Sequence, residues 1–117
     1  MKLKLITPLL LIASTLFFVA NANAKTFNTN IPGLVIKDLY CSSFTNTYSG
    51  RWVNRNNQSL KVKDIEITMY DSDGDRVGIQ STKYPINMGA KSGGGFGIQK
   101  GGVGCSYARD VHIFVEQ

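Results

Sequence analysis

The sequence predicts an all-β fold built from short antiparallel strands, and three observations carry that expectation. Apolar residues recur at every second position, most clearly at Ile65, Ile67 and Met69 against Glu66, Thr68 and Tyr70, the period of a strand with one buried face. Turn-forming clusters interrupt such stretches at short intervals, as antiparallel sandwiches and barrels require. After residue 24 no segment carries a convincing 3.6-residue apolar repeat, so a helix would have no face to bury.

Taken along the chain, the strand candidates are Gly33 to Cys41, Tyr48 to Asn54, Lys61 to Asp71, Arg76 to Tyr84, a shorter one around Phe96 to Gln99, and a C-terminal run. In that last run Val111, Ile113 and Val115 alternate with His112, Phe114 and Glu116. Leu60 and Val62 fall in the opposite frame from Ile65, which predicts a bulge near Lys63-Asp64. The polar stretch Asn54 to Ser59 connects two strands. Asp71-Ser-Asp-Gly-Asp75 supplies the Asp-Gly pair of a tight hairpin, and Pro85 and Met88-Gly-Ala mark further breaks. Between Gly89 and Gly104 eight of sixteen residues are glycine, which predicts a mobile loop or one that approaches another backbone closely.

Residues 1–24 read as a cleavable secretory signal peptide. Lys2 and Lys4 precede an apolar run from Leu5 to Ala20, and Ala22-Asn23-Ala24 fits the small-x-small site of signal peptidase. The working unit is then a single β-sandwich domain over 25–117, periplasmic or secreted, and no later stretch approaches the ~20 apolar residues of a membrane span. Without Lys2 and Lys4, eleven of the thirteen basic residues remain against eight acidic ones, a balance of +3. These charges are scattered. Nucleic-acid binding calls for a dense basic face, so no nucleic-acid partner is expected.

Cys41 and Cys105 are the only cysteines. In an oxidising compartment an even pair defaults to one intramolecular disulfide, and small exported domains use such bridges to supplement modest cores. A redox pair or metal ligands are the alternatives. The separation argues against a C-x-x-C redox motif, and zinc would need more Cys or His than the chain has.

From Tyr48 to Phe96 the pattern resembles a known family. Gly50-Arg-Trp-Val-Asn54 is followed by a polar turn, an alternating strand, Tyr70-Asp71 and an Asp-Gly turn, then by a glycine- and serine-rich segment ending in Phe96. This resembles the FxLYD-type domains, immunoglobulin-like β-sandwiches of exported bacterial proteins. The family's eponymous stretch falls on Ile67 to Asp71, with Ile67 for Phe and Met69 for Leu. The resemblance implies a small antiparallel immunoglobulin-like β-sandwich and carries no catalytic residues with it.

Candidate chemistry is sparse. Asp71, Asp73 and Asp75 match positions one, three and five of a calcium loop, but Arg76 and Thr82 stand where that loop needs glycine and a bidentate glutamate. A hairpin turn is the simpler reading, and no metal or other cofactor is expected. His112 is the single histidine, no G-x-S-x-G nucleophile elbow or phosphate-binding glycine loop occurs, and the protein is expected not to be an enzyme. Binding is more credible. Tyr48, Arg51, Trp52 and Arg55 lie close together on a strand and its turn, and Arg and Trp are typical interface anchors. Trp52 also reads as the core tryptophan of the sandwich. The expected function is a non-enzymatic exported domain acting through protein or cell-envelope contacts. One alternative is a small secreted inhibitor or immunity-type protein that inserts the Gly-rich 89–104 loop into its target. Another is an accessory or subunit of a surface fibre, whose C-terminal strand completes a partner's sheet.

Overall fold

The computed structural model describes residues 25–98 and 103–117. The segment 1–24, expected to be a signal peptide, and part of the Gly-rich segment, 99–102, lie outside them. The described residues form nine strands: β1 (Thr26–Asn28), β2 (Leu34–Cys41), β3 (Tyr48–Asn54), β4 (Leu60–Val62), β5 (Asp64–Tyr70), β6 (Arg76–Ser81), β7 (Ile86–Met88), β8 (Ser92–Gly97) and β9 (Asp110–Glu116). A 3₁₀ turn, Cys105–Tyr107, precedes β9. Every pairing is antiparallel, and no α-helix occurs among the described residues.

Two sheets make the sandwich, one ordered β1-β2-β3-β8 and the other β6-β5-β9, with the β4-β7 pair alongside. The alternations seen in the sequence become the two inner faces. Ile65, Ile67 and Met69 of β5 and Val111, Ile113 and Val115 of β9 meet Leu34 and Ile36 of β2, Trp52 of β3 and Phe96 of β8 in one buried cluster. In one sheet the β2-β3 hairpin pairs with β8, and in the other β5 lies between β6 and β9. The bridge Cys41–Cys105 joins the end of β2 to the 3₁₀ turn, with Cα atoms 5.8 Å apart. No helix among the described residues is long and apolar enough to cross a membrane.

Two expectations are modified. The frame shift at Lys63 is a change of sheet rather than a bulge within one strand: β4 leaves to pair with β7, and β5 begins anew at Asp64. The Gly-rich segment is not a loop throughout. Ser92 to Gly97 is a regular strand that runs along β3 in unbroken register. Glycine is required there at one position. A Cβ on Gly94 would lie 2.8 Å from the Trp52 ring, so the bare backbone makes room for the indole. On the opposite face, a Cβ on Gly95 would meet only Gly50 O, at 3.9 Å.

Polar side chains bind the strand ends. The Asp64 carboxylate accepts from Ser81 Oγ at 2.6 Å, Thr82 Oγ1 at 3.0 Å and the Lys83 N–H at 2.8 Å. Partial burial alone would raise its pKa, but these bonds together outweigh that and hold it below the usual carboxylate value. The fully buried Asn54 donates to the carbonyls of Gln58, Met88 and Gly89 at 3.0–3.2 Å and accepts from the Asn56 N–H.

Two outcomes follow for stability. Gly94→Ala is expected to lower stability by about 1–3 kcal/mol, the range for overpacking a filled core, while Gly95→Ala stays within about 0.5 kcal/mol of wild type. Urea denaturation of the oxidised proteins compares them. Because the Asp64 pKa is lowered in the folded state, its contribution is present above the ordinary carboxylate range and is lost as pH falls through the folded value. The gap in Tm between wild type and Asp64→Asn is therefore expected to be widest above about pH 5 and to narrow as pH falls below the ordinary carboxylate range. A gap that grew on acidification would contradict this.

Candidate functional site

The residues singled out from the sequence do not form one face. Tyr48 and Trp52 point inward and are buried in the core. Burial pushes the Tyr48 phenol above its ordinary pKa, as expected for a side chain held neutral between the sheets. Arg51 points outward from the same strand, exposed, with Nε 3.1 Å from Asp38 Oδ2. Arg55 is exposed in the following turn, where its N–H donates to Gly33 O. The alternation of β3 is the physical reason: Tyr48, Trp52 and Asn54 share one side and Arg51 the other. Of the four, Arg51 and Arg55 are left as surface groups.

The structure builds a different candidate at the pole closed by the disulfide. Six residues, Ser42 to Thr47, connect β2 to β3, and the loop is held from within. The Ser42 N–H donates to Thr47 O, the Asn46 N–H donates to Ser42 O, and Ser42 Oγ accepts from the N–H groups of Phe44 and Thr45. Asn46 takes a left-handed conformation (φ 61°), which asparagine adopts more readily than most residues. That geometry turns its carbonyl to the Cys105 N–H at 3.2 Å and its side-chain oxygen to the Ser106 N–H at 3.3 Å. Gly104 sits against the Asn46 carboxamide, where a Cβ would overlap it. From the opposite sheet the buried Gln80 accepts from the Tyr48 N–H and donates to the carbonyls of Asn46 and Val103. Loop, bridge and 3₁₀ turn are thus one fastened unit.

That unit carries exposed aromatic surface. Phe44 at the loop tip is 95% exposed, Tyr107 in the 3₁₀ turn 75%, and Tyr40, next to the disulfide, 60%. Beside them lies a groove of about 260 Å³ lined by Phe27, Leu39 and Tyr40 and edged by Lys25, Arg109 and Asp110. Its lining mixes apolar side chains with the charges of Lys25, Arg109 and Asp110, a combination common at surfaces that receive a partner's side chain. The sequence held a usable signal for Phe44: a lone aromatic amid Ser, Thr and Asn in a turn has no strand to bury it. Sequence reasoning followed arginine and tryptophan instead.

The remaining candidates resolve into structure. Asp71 Oδ1 accepts from the N–H groups of Asp73 and Asp75 at 2.9 Å each, and Gly74 takes φ +84°, so the acidic cluster is the hairpin turn itself. The three carboxylates lie within 4.8 Å of one another, two of them exposed. His112 stands on the outer face of β9, with its ring 4.8 Å from that of Tyr70 and Nε2 3.9 Å from Asp110. No protein-family model, curated protein or solved structure matches the chain.

The bridge closes a long loop, with a sequence separation of 64 residues. Replacing both cysteines with alanine is expected to cost about 4 kcal/mol by chain entropy. It should also release the 42–47 loop to proteolysis before the sandwich unfolds, which limited digestion followed by mass spectrometry reads directly.

Proposed function

We propose that this protein is an exported, non-enzymatic binding domain, periplasmic or secreted, that engages a protein of the cell envelope or its surroundings through the aromatic pole at the disulfide. The observation that carries this reading is the exposure of Phe44, at 95%, on a loop fastened by a disulfide and by the Asn46 and Gln80 hydrogen bonds. A phenylalanine held out in water gains nothing for the fold, and a rigid loop loses little entropy when a partner buries it. Tyr107 and Tyr40 extend the same surface with side chains that have an apolar body and a polar tip, the type enriched at interface centres. The disulfide suits an oxidising compartment, and the partial resemblance to FxLYD-type domains is that of a scaffold carrying surfaces rather than reaction chemistry.

The competing idea of an inserting Gly-rich loop has less support, because Ser92 to Gly97 of that segment are committed to the sheet as β8. For the fibre-subunit reading the obstacle is Asn30, whose carboxamide occupies the outer edge of β9 by donating to Val115 O and accepting from its N–H.

The test compares affinity capture from the native organism using the wild-type domain and a Phe44→Ser, Tyr107→Ser variant. Surface replacements of this kind should move stability by less than about 0.5 kcal/mol. The recovered partner should bind the variant at least tenfold more weakly, or about 1.4 kcal/mol. Undiminished recovery by a variant that melts like wild type would remove the aromatic pole from consideration.

A further inference from the structure

β8 lies at the edge of its sheet, paired with β3 on one side and with no described strand on the other. The Ile98 N–H donates to Tyr48 O at 2.9 Å, and this bond sets the alternation. Ser92, Gly94 and Phe96 exchange backbone bonds with β3, while Gly93, Gly95 and Gly97 turn their N–H and C=O groups outward. At Gly97 both groups meet the Tyr84 hydroxyl, at 3.3 and 3.5 Å. Gly93 and Gly95 are exposed, and their outward groups have no partner among the described residues.

The edge at the other end of the sandwich is treated differently. On β9 the Val111 N–H is bonded by the Asp110 carboxylate, Val115 is bonded on both groups by Asn30, and acidic residues stand at both ends of the strand. Sheets ordinarily blunt their edges with charges, prolines, bulges or covering groups. From Ser92 to Gly97 β8 has no charge, no proline and no bulge in its register with β3. Its outer face is also bare. A Cβ on Gly95 would find nothing closer than Gly50 O, at 3.9 Å, whereas one on Gly93 would lie 3.0 Å from Trp52 O, 3.7 Å from Val53 Cγ2 and 3.8 Å from Arg51 Nη1. The result is a strip without side chains, flanked by an exposed guanidinium.

We propose that the β8 edge at Gly93–Gly95 is a strand-addition site for an extended segment of another protein. The segment's alternate aromatic side chains lie across the glycines against Arg51. The main-chain groups of Gly93 and Gly95 supply four hydrogen-bonding positions, and glycine lets the incoming backbone come close. Aromatic side chains fill the strip and stack on the guanidinium, an arrangement that charged planar groups favour. A second copy of β8 is a poor occupant. It brings only glycines to the strip and buries far less than the roughly 1,200 Å² of a standard interface. This site is independent of the aromatic pole.

The probes are two displayed libraries of nine-residue peptides. One carries Tyr, Trp or Phe at three alternate positions among Ser, Thr and Asp, and the other carries Gly or Ser at those three positions. Selection on the wild-type domain should enrich the aromatic library alone. An enriched peptide should slow hydrogen exchange at the Gly93 and Gly95 amides at least tenfold. Its affinity should fall at least tenfold in Gly95→Pro, which deletes an outward N–H without touching the β3 pairing, and should persist in the Phe44→Ser, Tyr107→Ser variant. If Gly95→Pro does not fold, the exchange measurement on wild type decides alone. Equal enrichment of both libraries, or an enriched peptide that leaves those two amides unprotected, overturns the proposal. So does protection of the same amides by concentration-dependent dimerisation without peptide, which would make the second copy the occupant.

Discussion

The buried carboxamide of Gln80 is the interaction on which the arrangement of the disulfide pole depends. It sits on β6, in one sheet, and is 1% exposed, yet all of its bonds go to segments outside that sheet: the Tyr48 N–H, Asn46 O and Val103 O. An apolar residue at this position would bury comparable surface but would strand the buried Tyr48 N–H, at a cost of about 1–3 kcal/mol. The carboxamide can serve because it carries donors and an acceptor on one planar group. Through it the start of β3, the 42–47 loop and the segment before Cys105 are held to the opposite sheet. The disulfide then closes a geometry that the hydrogen bonds already favour.

Other polar side chains apply the same device elsewhere. Asn30 stands in for a neighbouring strand at Val115, Asn54 gathers three carbonyls where β3, β7 and the 54–59 turn meet, and Asp64 holds the end of β6 against the start of β5. Each replaces sheet pairing where a strand stops or a chain changes layer. In a domain this small, strands are short and many ends must be satisfied, so a few amides and one carboxylate do much of the work that extra strands do in larger sandwiches. β8 stands apart from this pattern, since the outward groups of Gly93 and Gly95 have no such cover among the described residues.

Much of the framework was legible. β5 and β9 announce themselves because one face of each is wholly apolar and the other polar, and β2 and β3 fall where their β-branched and aromatic residues place them. The two cysteines left one sensible pairing. Only the end of β8, around Phe96, was legible, because strand propensity is a statement about side chains and the rest of this strand has almost none. Its place is decided by Trp52, which needs the space over Gly94, a contact between residues 42 positions apart that no local pattern carries. β1 and β7 have three residues each, too few to show an alternation. The candidate face failed for a simpler reason. Tyr48, Arg51, Trp52 and Arg55 were grouped by nearness in sequence, whereas a strand deals successive residues to opposite sides.

The two surfaces suggested as binding sites differ in what holds them ready. At the pole, readiness comes from over-determination: Asn46 keeps a left-handed backbone because the disulfide, Gln80 and the Ser106 N–H all fix the same geometry, and Phe44 inherits that rigidity. At the β8 edge it comes from pairing on one side only, so the backbone is already extended and its free groups already aligned when a strand arrives. A partner at the pole must supply an apolar pocket. At the edge it must supply a backbone, and side chains enter only as far as the glycine strip and Arg51 admit them. The first contact is selective by shape and the second by conformation. Because they lie on different parts of the sandwich, one domain of this size could hold a folded partner and an extended one together.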